Sequence, residues 1–481
     1  MKKIIVCLLL SLITIFFNHT IYAQYEDSFN RFGQNKNVST KNEQYYKWTN
    51  LGVRSDVSLH KQWTIKFTNK VKAKHIEAAT IEQHGQLIAV EVALIGNKLT
   101  ISPTEYYEVG EEYTLRIFCS NGTGYRLTFT TEEALQVTEL GNGAQMLKVQ
   151  AQPEAGFYWP YYIRIPSSTH QSENESHTRY VLFDMVNSGV GDEKNAASTI
   201  EKSMLSRNIF SVQLSEQLWL PLIIPAIPRS HVHYYDENGQ LNAIFEHAFD
   251  RDSAQLQQIL SSTTGSAMRA GYKSLGYDAE SFIRLDDQVI AMFEHAVSLL
   301  NEQGANVETE KMFMSGFSAS GTFVDRVSML HPERVKAIAS GATLDDMVAP
   351  LSTYNNETLP FPIGISDYEQ LTNKPFNIEE INKMAKVVYM GAEDTNDTVR
   401  EDYVDSYNSS ERQIIQQAFG NNLLARAQLL MKVYRNAGGE AQLILEEGVG
   451  HTISPKMKGH LIRFFAENRD TSEPVYLNFE Q

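Results

Sequence analysis

Cysteine is almost missing from this chain of 481 residues: there are 2, Cys7 and Cys119. A disulfide framework is therefore excluded, and no cysteine–histidine spacing of the kind that holds zinc occurs, so no metal and no cofactor is expected. Basic residues are also in deficit, with 42 Lys plus Arg against 58 Asp plus Glu and a formal net charge of −16. That balance repels phosphate backbones and anionic surfaces, which excludes nucleic acid as a partner. Phosphate-cradling glycine loops and sustained heptads are absent. Beyond the first residues, no apolar run is long enough to cross a membrane.

What is present centres on Gly316-Phe317-Ser318-Ala319-Ser320-Gly321. Before it runs Lys311-Met312-Phe313-Met314, short and strand-like. After it, Phe323, Val324, Val327 and Leu330 are spaced as on a buried helix. A strand, a tight turn of small residues and a helix lift a serine above the end of a sheet, the arrangement of a nucleophile elbow. The helix start then aims backbone N–H groups at the space where negative charge would develop. The pattern departs from G-x-S-x-G at Ser320, which stands where the second glycine is usual; Gly321 follows at once.

Two downstream segments complete a triad. Lys386–Met390 is a β-rich run ending in Gly391-Ala392-Glu393-Asp394, and Ala441–Leu445 is another ending in Glu446-Glu447-Gly448-Val449-Gly450-His451. A carboxylate just past a strand end suits the group that orients a histidine. The two glycines leave room for the imidazole to project back over the sheet. The chain order is Ser318, Asp394, His451. Asp397, in the same loop, competes with Asp394 as the acid, and the shorter distance to the strand end favours Asp394. His460, His331, His231 and His233 lack the strand-and-glycine frame of His451 and are read as packing or surface residues. Asp286 and Asp287 fall in the first turn of an amphipathic helix over 286–301, where carboxylates suit the helix dipole.

In this reading His451 removes the Ser318 proton during attack and later returns it to the leaving group, while Asp394 holds the tautomer. The oxyanion needs two preorganised donors. One is the backbone N–H of Ala319. The other is sought in Leu220–Arg229, an apolar strand breaking into a proline-rich turn. Its prolines cannot donate, which leaves Ala226 or Ile227, with Ile227 preferred.

From about Tyr161 to Phe465 the chain resembles the bacterial α/β-hydrolase superfamily, closest to its secreted esterase and polyhydroxyalkanoate-depolymerase-like branch. The residues carrying the likeness are the Pro225–Arg229 turn, Arg284–Gln288, Gly316–Gly321, Leu330–Ala337, Gly391–Asp394 and Gly448–His451. The resemblance implies an α/β fold, a doubly wound sheet of about eight mostly parallel strands, and hydrolysis of an acyl bond, usually an ester. It leaves the substrate open, either a small ester or a polymer.

The N-terminus is basic at Lys2-Lys3, apolar from Ile4 to Phe17, and small at Ala23 before Gln24. This describes a signal peptide over 1–23 and an exported protein, whether extracellular, periplasmic or on the cell surface. Residues 24–56 are polar and read as a linker. From 57 to 132 the texture alternates, with short strands expected at Trp63–Phe67, Ile88–Val92, Leu99–Ile101, Tyr113–Ile117 and Arg126–Thr130. This stretch resembles bacterial Ig-like β-sandwich domains, which carry no catalysis by resemblance. It serves either as a spacer or as a contact to a cell surface or insoluble substrate.

Residues 133–481 are assigned to the hydrolase domain, although 147–153 either open its sheet or close the sandwich. The long excursion over 353–383, rich in Asn, Pro and aromatics, is either a lid or a packed insertion. The chain is thus read as a serine-dependent carboxylic ester hydrolase. The alternatives are a peptidase or amide hydrolase on the same triad, and an inactive hydrolase-fold surface-binding protein.

Overall fold

The computed structural model describes residues 44–59, 61–68, 72–187, 193–206, 209–229, 231–235, 239, 241–400 and 406–479. The leader expected over 1–23 and the first part of the expected linker, 24–43, lie outside the described residues. The chain divides into two units between Ala134 and Leu135.

The first unit contains β1 (Lys47–Val57), β2 (Trp63–Lys66), β3 (Ile76–Gln83), β4 (Gln86–Ile88), β5 (Val90–Ile95), β6 (Lys98–Pro103), β7 (Glu112–Cys119) and β8 (Thr123–Thr131). One sheet has the order β1-β8-β7-β3-β4 and the other β2-β6-β5. Alternation along β6 and β7 turns Leu99, Ile101, Tyr113, Leu115 and Ile117 into one core with Ile81 and Phe129. That is the pattern of sheets with one face buried and one wet.

Two expectations need correction. Residues 47–56 are not linker: they belong to β1, which pairs in parallel with β8. Most of its side chains are exposed, so backbone pairing holds it and no apolar alternation marks it in the sequence. The strand expected at Ile88–Val92 is interrupted at Ala89, where β4 leaves for one sheet and β5 for the other.

The second unit is built on a nine-stranded mixed sheet. Its strands are β9 (Leu135–Glu139), β10 (Gln145–Val149), β11 (Tyr161–Ile165), β12 (Leu182–Phe183), β13 (Leu222–Pro225), β16 (Met312–Phe317), β17 (Val335–Gly341), β20 (Ala385–Gly391) and β21 (Gln442–Glu446). Short hairpins β14 (Val232–Tyr235) with β15 (Leu241–Ile244), and β18 (Thr353–Tyr354) with β19 (Glu357–Thr358), lie outside it. The order is β21-β20-β17-β16-β12-β13-β11-β10-β9. Neighbours from β21 to β13 run parallel, and the remaining pairs are antiparallel. Residues 145–149 therefore belong to this sheet.

The longer helices are α1 (Glu193–Ser206), α2 (Phe210–Leu218), α3 (Gly265–Ser274), α4 (Leu285–Glu302), α5 (Ala319–Leu330), α6 (Ser409–Phe419), α7 (Leu423–Asn436) and α8 (Pro455–Glu467). They cover both faces of the sheet. Met312, Met314 and Ile338 pack with α4 and α5 on one face, while Phe313, Ala337 and Ala339 pack with α1, α2 and α8 on the other. Strands covered on both faces read as continuous apolar runs, as 312–314 and 387–390 do.

Within the 353–383 excursion, Leu359, Phe361, Ile363, Tyr368, Leu371 and Ile381 are buried, and the Tyr368 hydroxyl donates to the Met329 carbonyl at 3.0 Å. The segment is packed into the body of the unit. Because β16, β17, β20 and β21 run parallel, their carboxyl ends share one edge of the sheet, and the loops carrying Ser318, Asp394 and His451 all leave from it.

Candidate active site

Ser318 joins β16 to α5 with φ 61° and ψ −133°. A non-glycine residue with positive φ is strained, and here the surroundings hold it there. Its N–H donates to the Gly341 carbonyl at 2.9 Å, and its own carbonyl accepts from the Thr322 N–H at 3.0 Å. The turn has no room for side chains on two of its glycines. A Cβ on Gly316 would lie 2.4 Å from the Ser320 carbonyl oxygen, and one on Gly321 would lie 2.6 Å from that of Gly341.

The departure at Ser320 is explained by the same geometry. The close approach to β17 falls at Gly321, one position later, while the Ser320 Oγ accepts the Phe317 N–H at 2.9 Å. The missing glycine has moved by one residue, and the serine in its place ties the turn together.

His451 follows β21 and bridges the other two residues. Its Nδ1 lies 2.8 Å from Asp394 Oδ2 and its Nε2 lies 3.0 Å from Ser318 Oγ. A carboxylate accepts and does not donate, so Nδ1 carries the hydrogen and Nε2 presents a lone pair to the serine. The second oxygen of Asp394 accepts the Asn396 N–H at 2.9 Å, and its side chain is 2% exposed. The loops after β20 and β21 are stitched by Glu393 N–H to the Val449 carbonyl and Ala392 N–H to the Glu446 carbonyl, both 2.9 Å. Gly391 makes that contact sterically feasible: a Cβ there would sit 2.1 Å from the Val449 oxygen.

Asp397 serves another purpose. It accepts from Arg426, which also reaches Asp345 at 3.1 Å, and its Oδ1 accepts the Val399 N–H at 2.9 Å. Thr398 adds a bond to Asp346 at 2.7 Å. A buried ionic network thus holds the loop from below, while Asp394 faces the histidine.

Among the rivals, His331 binds Asp286 at 2.9 Å, and Arg284 bonds both Asp286 and Asp287, so these side chains are engaged with one another. His460 is buried against Gln442.

Ala319 begins α5, and its N–H has no hydrogen-bond partner among the described residues. The second oxyanion donor expected at Ile227 requires correction. Ile227 follows β13, and β12 stands between β13 and the serine strand β16. That sets the 225–229 turn two strand spacings away, about 10 Å. The Ile227 side chain is fully buried in the core, and the Ala226 N–H is taken by the Pro160 carbonyl at 2.8 Å. The segment that touches the elbow instead follows β12: Asn187 Oδ1 accepts the Ser320 N–H at 2.9 Å. A sequence cue existed in Leu182–Asn187, a short apolar strand running into a polar turn, but nothing in the sequence says which strand neighbours β16.

A cavity of about 270 Å³ lies directly behind the elbow, bounded by Gly316, Phe317 and Ser320 on one side and by Asp184 and Asn187 on another. Burial pushes the Asp184 carboxyl up to about 6, opposed by Ser211, the Met185 N–H, Ser320 and Arg229.

No family model and no curated protein sequence matches the chain. Several solved structures are similar to part of it. One is an S-formylglutathione hydrolase from Agrobacterium tumefaciens, with 13% identity, a TM-score of 0.36, and 69% of this chain against 98% of that one covered. Another is poly(aspartic acid) hydrolase-1 from Sphingomonas sp. KT-1, with 15% identity, a TM-score of 0.38, and coverage of 68% and 97%. A siderophore hydrolase from Aspergillus nidulans has 14% identity, a TM-score of 0.34, and coverage of 71% and 100%. The chemistry proposed below rests on the site's own geometry.

Proposed function

We propose that this chain is a serine hydrolase that cleaves a carboxylic ester through Ser318, His451 and Asp394. The observation that carries the reading is the imidazole placed between the serine hydroxyl and a buried carboxylate, with both ring nitrogens in hydrogen-bond reach. His451 Nε2 takes the hydroxyl proton as Ser318 Oγ bonds to the acyl carbon. The carbonyl oxygen then carries the charge, facing the Ala319 N–H and a second donor that we assign to the loop after β12. Collapse of this intermediate expels the alcohol, protonated by His451, and leaves an acyl-serine. Water, deprotonated by the same nitrogen, attacks the acyl carbon and releases the acid.

The protein is proposed to be exported by the leader at 1–23, and its first unit to be an Ig-like domain acting as a spacer or as a contact to a surface or insoluble substrate. Retention of the full chain on cell wall, chitin or polyester, compared with soluble ester controls, separates these two roles.

Hydrolysis of a p-nitrophenyl ester series by the full chain and by Ser318→Ala tests the activity. Turnover that disappears in the variant supports the triad. If the wild type neither turns over esters nor reacts with a fluorophosphonate at Ser318, the hydrolase reading fails.

A further inference from the structure

We propose that Phe317, the residue before the nucleophile, is a positioning residue. With Tyr389 as its support, it holds the His451 ring in the attitude needed to return a proton to the leaving alcohol. This rests on the ester-hydrolase reading above and adds a further residue to that site.

The need arises in the imidazole itself. Its hydrogen bonds to Asp394 and Ser318 fix two points of the ring. Rotation about the line through those points swings Cγ, and with it the loop that carries Gly448 and Gly450. The His451 side chain is 33% exposed, so burial does not restrain it on every side. A third contact, on the ring itself, is what fixes the plane.

Phe317 supplies that contact. Its ring centroid lies 4.9 Å from that of His451, with the two planes inclined by 50°, within the range of packed aromatic rings. Phe317 ends β16 and pairs with Gly341 of β17, which pairs in turn with Tyr389 of β20. The three residues stand in one row across the sheet. The middle one has no side chain, and Tyr389 lies over it: a Cβ on Gly341 would be 2.3 Å from Tyr389 Cζ. The tyrosine ring thereby reaches Phe317, with centroids 6.3 Å apart and planes inclined by 29°. Tyr389 is fully buried, so it forms a fixed floor under a ring that is only partly covered. Val449 and Ile453, on either side of His451, pack against the same core.

The two proton transfers at His451 Nε2 are not equally demanding. A p-nitrophenolate departs without a proton. An alkoxide departs as the alcohol: the acyl C–O bond breaks, its electron pair stays on oxygen, and the Nε2 hydrogen passes to that oxygen. His451 returns to its neutral form. An error in ring attitude is therefore felt most where an alkyl alcohol must be expelled.

The test uses the full chain with ethyl butyrate and p-nitrophenyl butyrate, which share one acyl group. It compares kcat/KM, which reports the steps up to the acyl-serine. Labelling of Ser318 to completion with a fluorophosphonate measures competent enzyme. Phe317→Leu keeps apolar bulk and loses the flat ring. It should lower kcat/KM for the ethyl ester by about thirtyfold and for the p-nitrophenyl ester by about threefold. Phe317→Tyr, which restores a flat ring, should recover most of that loss. Tyr389→Leu removes the support and should shift the ethyl-to-p-nitrophenyl ratio the same way, by about threefold.

Equal losses on both esters in labelled Phe317→Leu mean a general structural role and overturn the assignment, with the hydrolase reading left standing. A labelled Phe317→Tyr no better than Phe317→Leu does the same, as does an unchanged ratio in labelled Tyr389→Leu. If the labelled wild type cleaves only the p-nitrophenyl ester, His451 delivers no proton to an alkyl leaving group and the role given to Phe317 fails. A wild type that neither labels nor turns over either ester overturns both readings.

Discussion

Ser320 and Asn187 are joined across the elbow: the Ser320 N–H donates to Asn187 Oδ1 at 2.9 Å, linking the first turn of α5 to the loop after β12. The bond occupies one helix-start donor, while the Ala319 N–H has no hydrogen-bond partner among the described residues. It also ties together the two segments to which the oxyanion donors are assigned in the proposed mechanism.

Asn187→Ala removes this tether without touching the triad. The expected outcome is a fall in kcat of about tenfold to a hundredfold with KM changed by less than about threefold, since a misplaced donor weakens the transition state more than the ground state. Steady-state kinetics on a p-nitrophenyl ester, with a melting curve to show that the fold is retained, decides it. A rise in KM with unchanged kcat would place Asn187 in substrate binding instead.

Gly391→Ala inserts a methyl group 2.1 Å from the Val449 oxygen and 2.4 Å from that of Gly450. Either the loop carrying His451 moves or the strand end does, and both separate the imidazole from Ser318. Activity should drop by about a hundredfold or more, because even a displacement of about 1 Å costs that much. Near-wild-type turnover would mean that the two loops yield without moving the histidine.

Asp394→Asn and Asp397→Asn should part company. The first exchanges the carboxylate facing His451 Nδ1 for an amide that can stabilise the wrong tautomer, and kcat should fall by about ten-thousandfold with stability little changed. The second removes a charge from the buried contact with Arg426. It should lower stability by about 3–5 kcal/mol while the folded enzyme keeps most of its turnover. Paired kinetics and urea unfolding check both, and reversed effects would exchange their roles.

Glu246 is buried, and desolvation pushes its carboxyl up to about 8. Between its unfolded value near 4.5 and about 8, the folded chain keeps a proton that the unfolded chain has released. Stability contributed by this group therefore falls as pH rises through that window, at up to about 1.4 kcal/mol per pH unit. Glu246→Gln should flatten the decline in unfolding midpoint between about pH 5.5 and about pH 8.5. A variant with the same slope as wild type would remove Glu246 as its source.

The nucleophile turn was legible because it is local. Small residues at 316–321 between an apolar run and a helical period describe a strand–turn–helix within a few residues, and Ser318 sits in it. The strands before Asp394 and His451 were legible for the same reason: each is an apolar run ended by glycine. β1 escaped because an edge strand with exposed side chains leaves no apolar pattern.

Sequence alone therefore determined the parts whose physics is local: where the chain turns, which runs are covered on both faces, and which side chains end the central strands. Only the tertiary structure decided the neighbours. That β12, and not β13, lies against β16 is a long-range pairing between residues 182–183 and 313–314, and it is the ground on which the second oxyanion donor is proposed for the loop after β12 and not for 225–229. The two candidate acids are separated in the same way. Asp394 and Asp397 share one loop, and it is Arg426, far along the chain, that draws one inward while His451 meets the other. Short-range propensity cannot encode such choices, because they depend on which distant surfaces bury together.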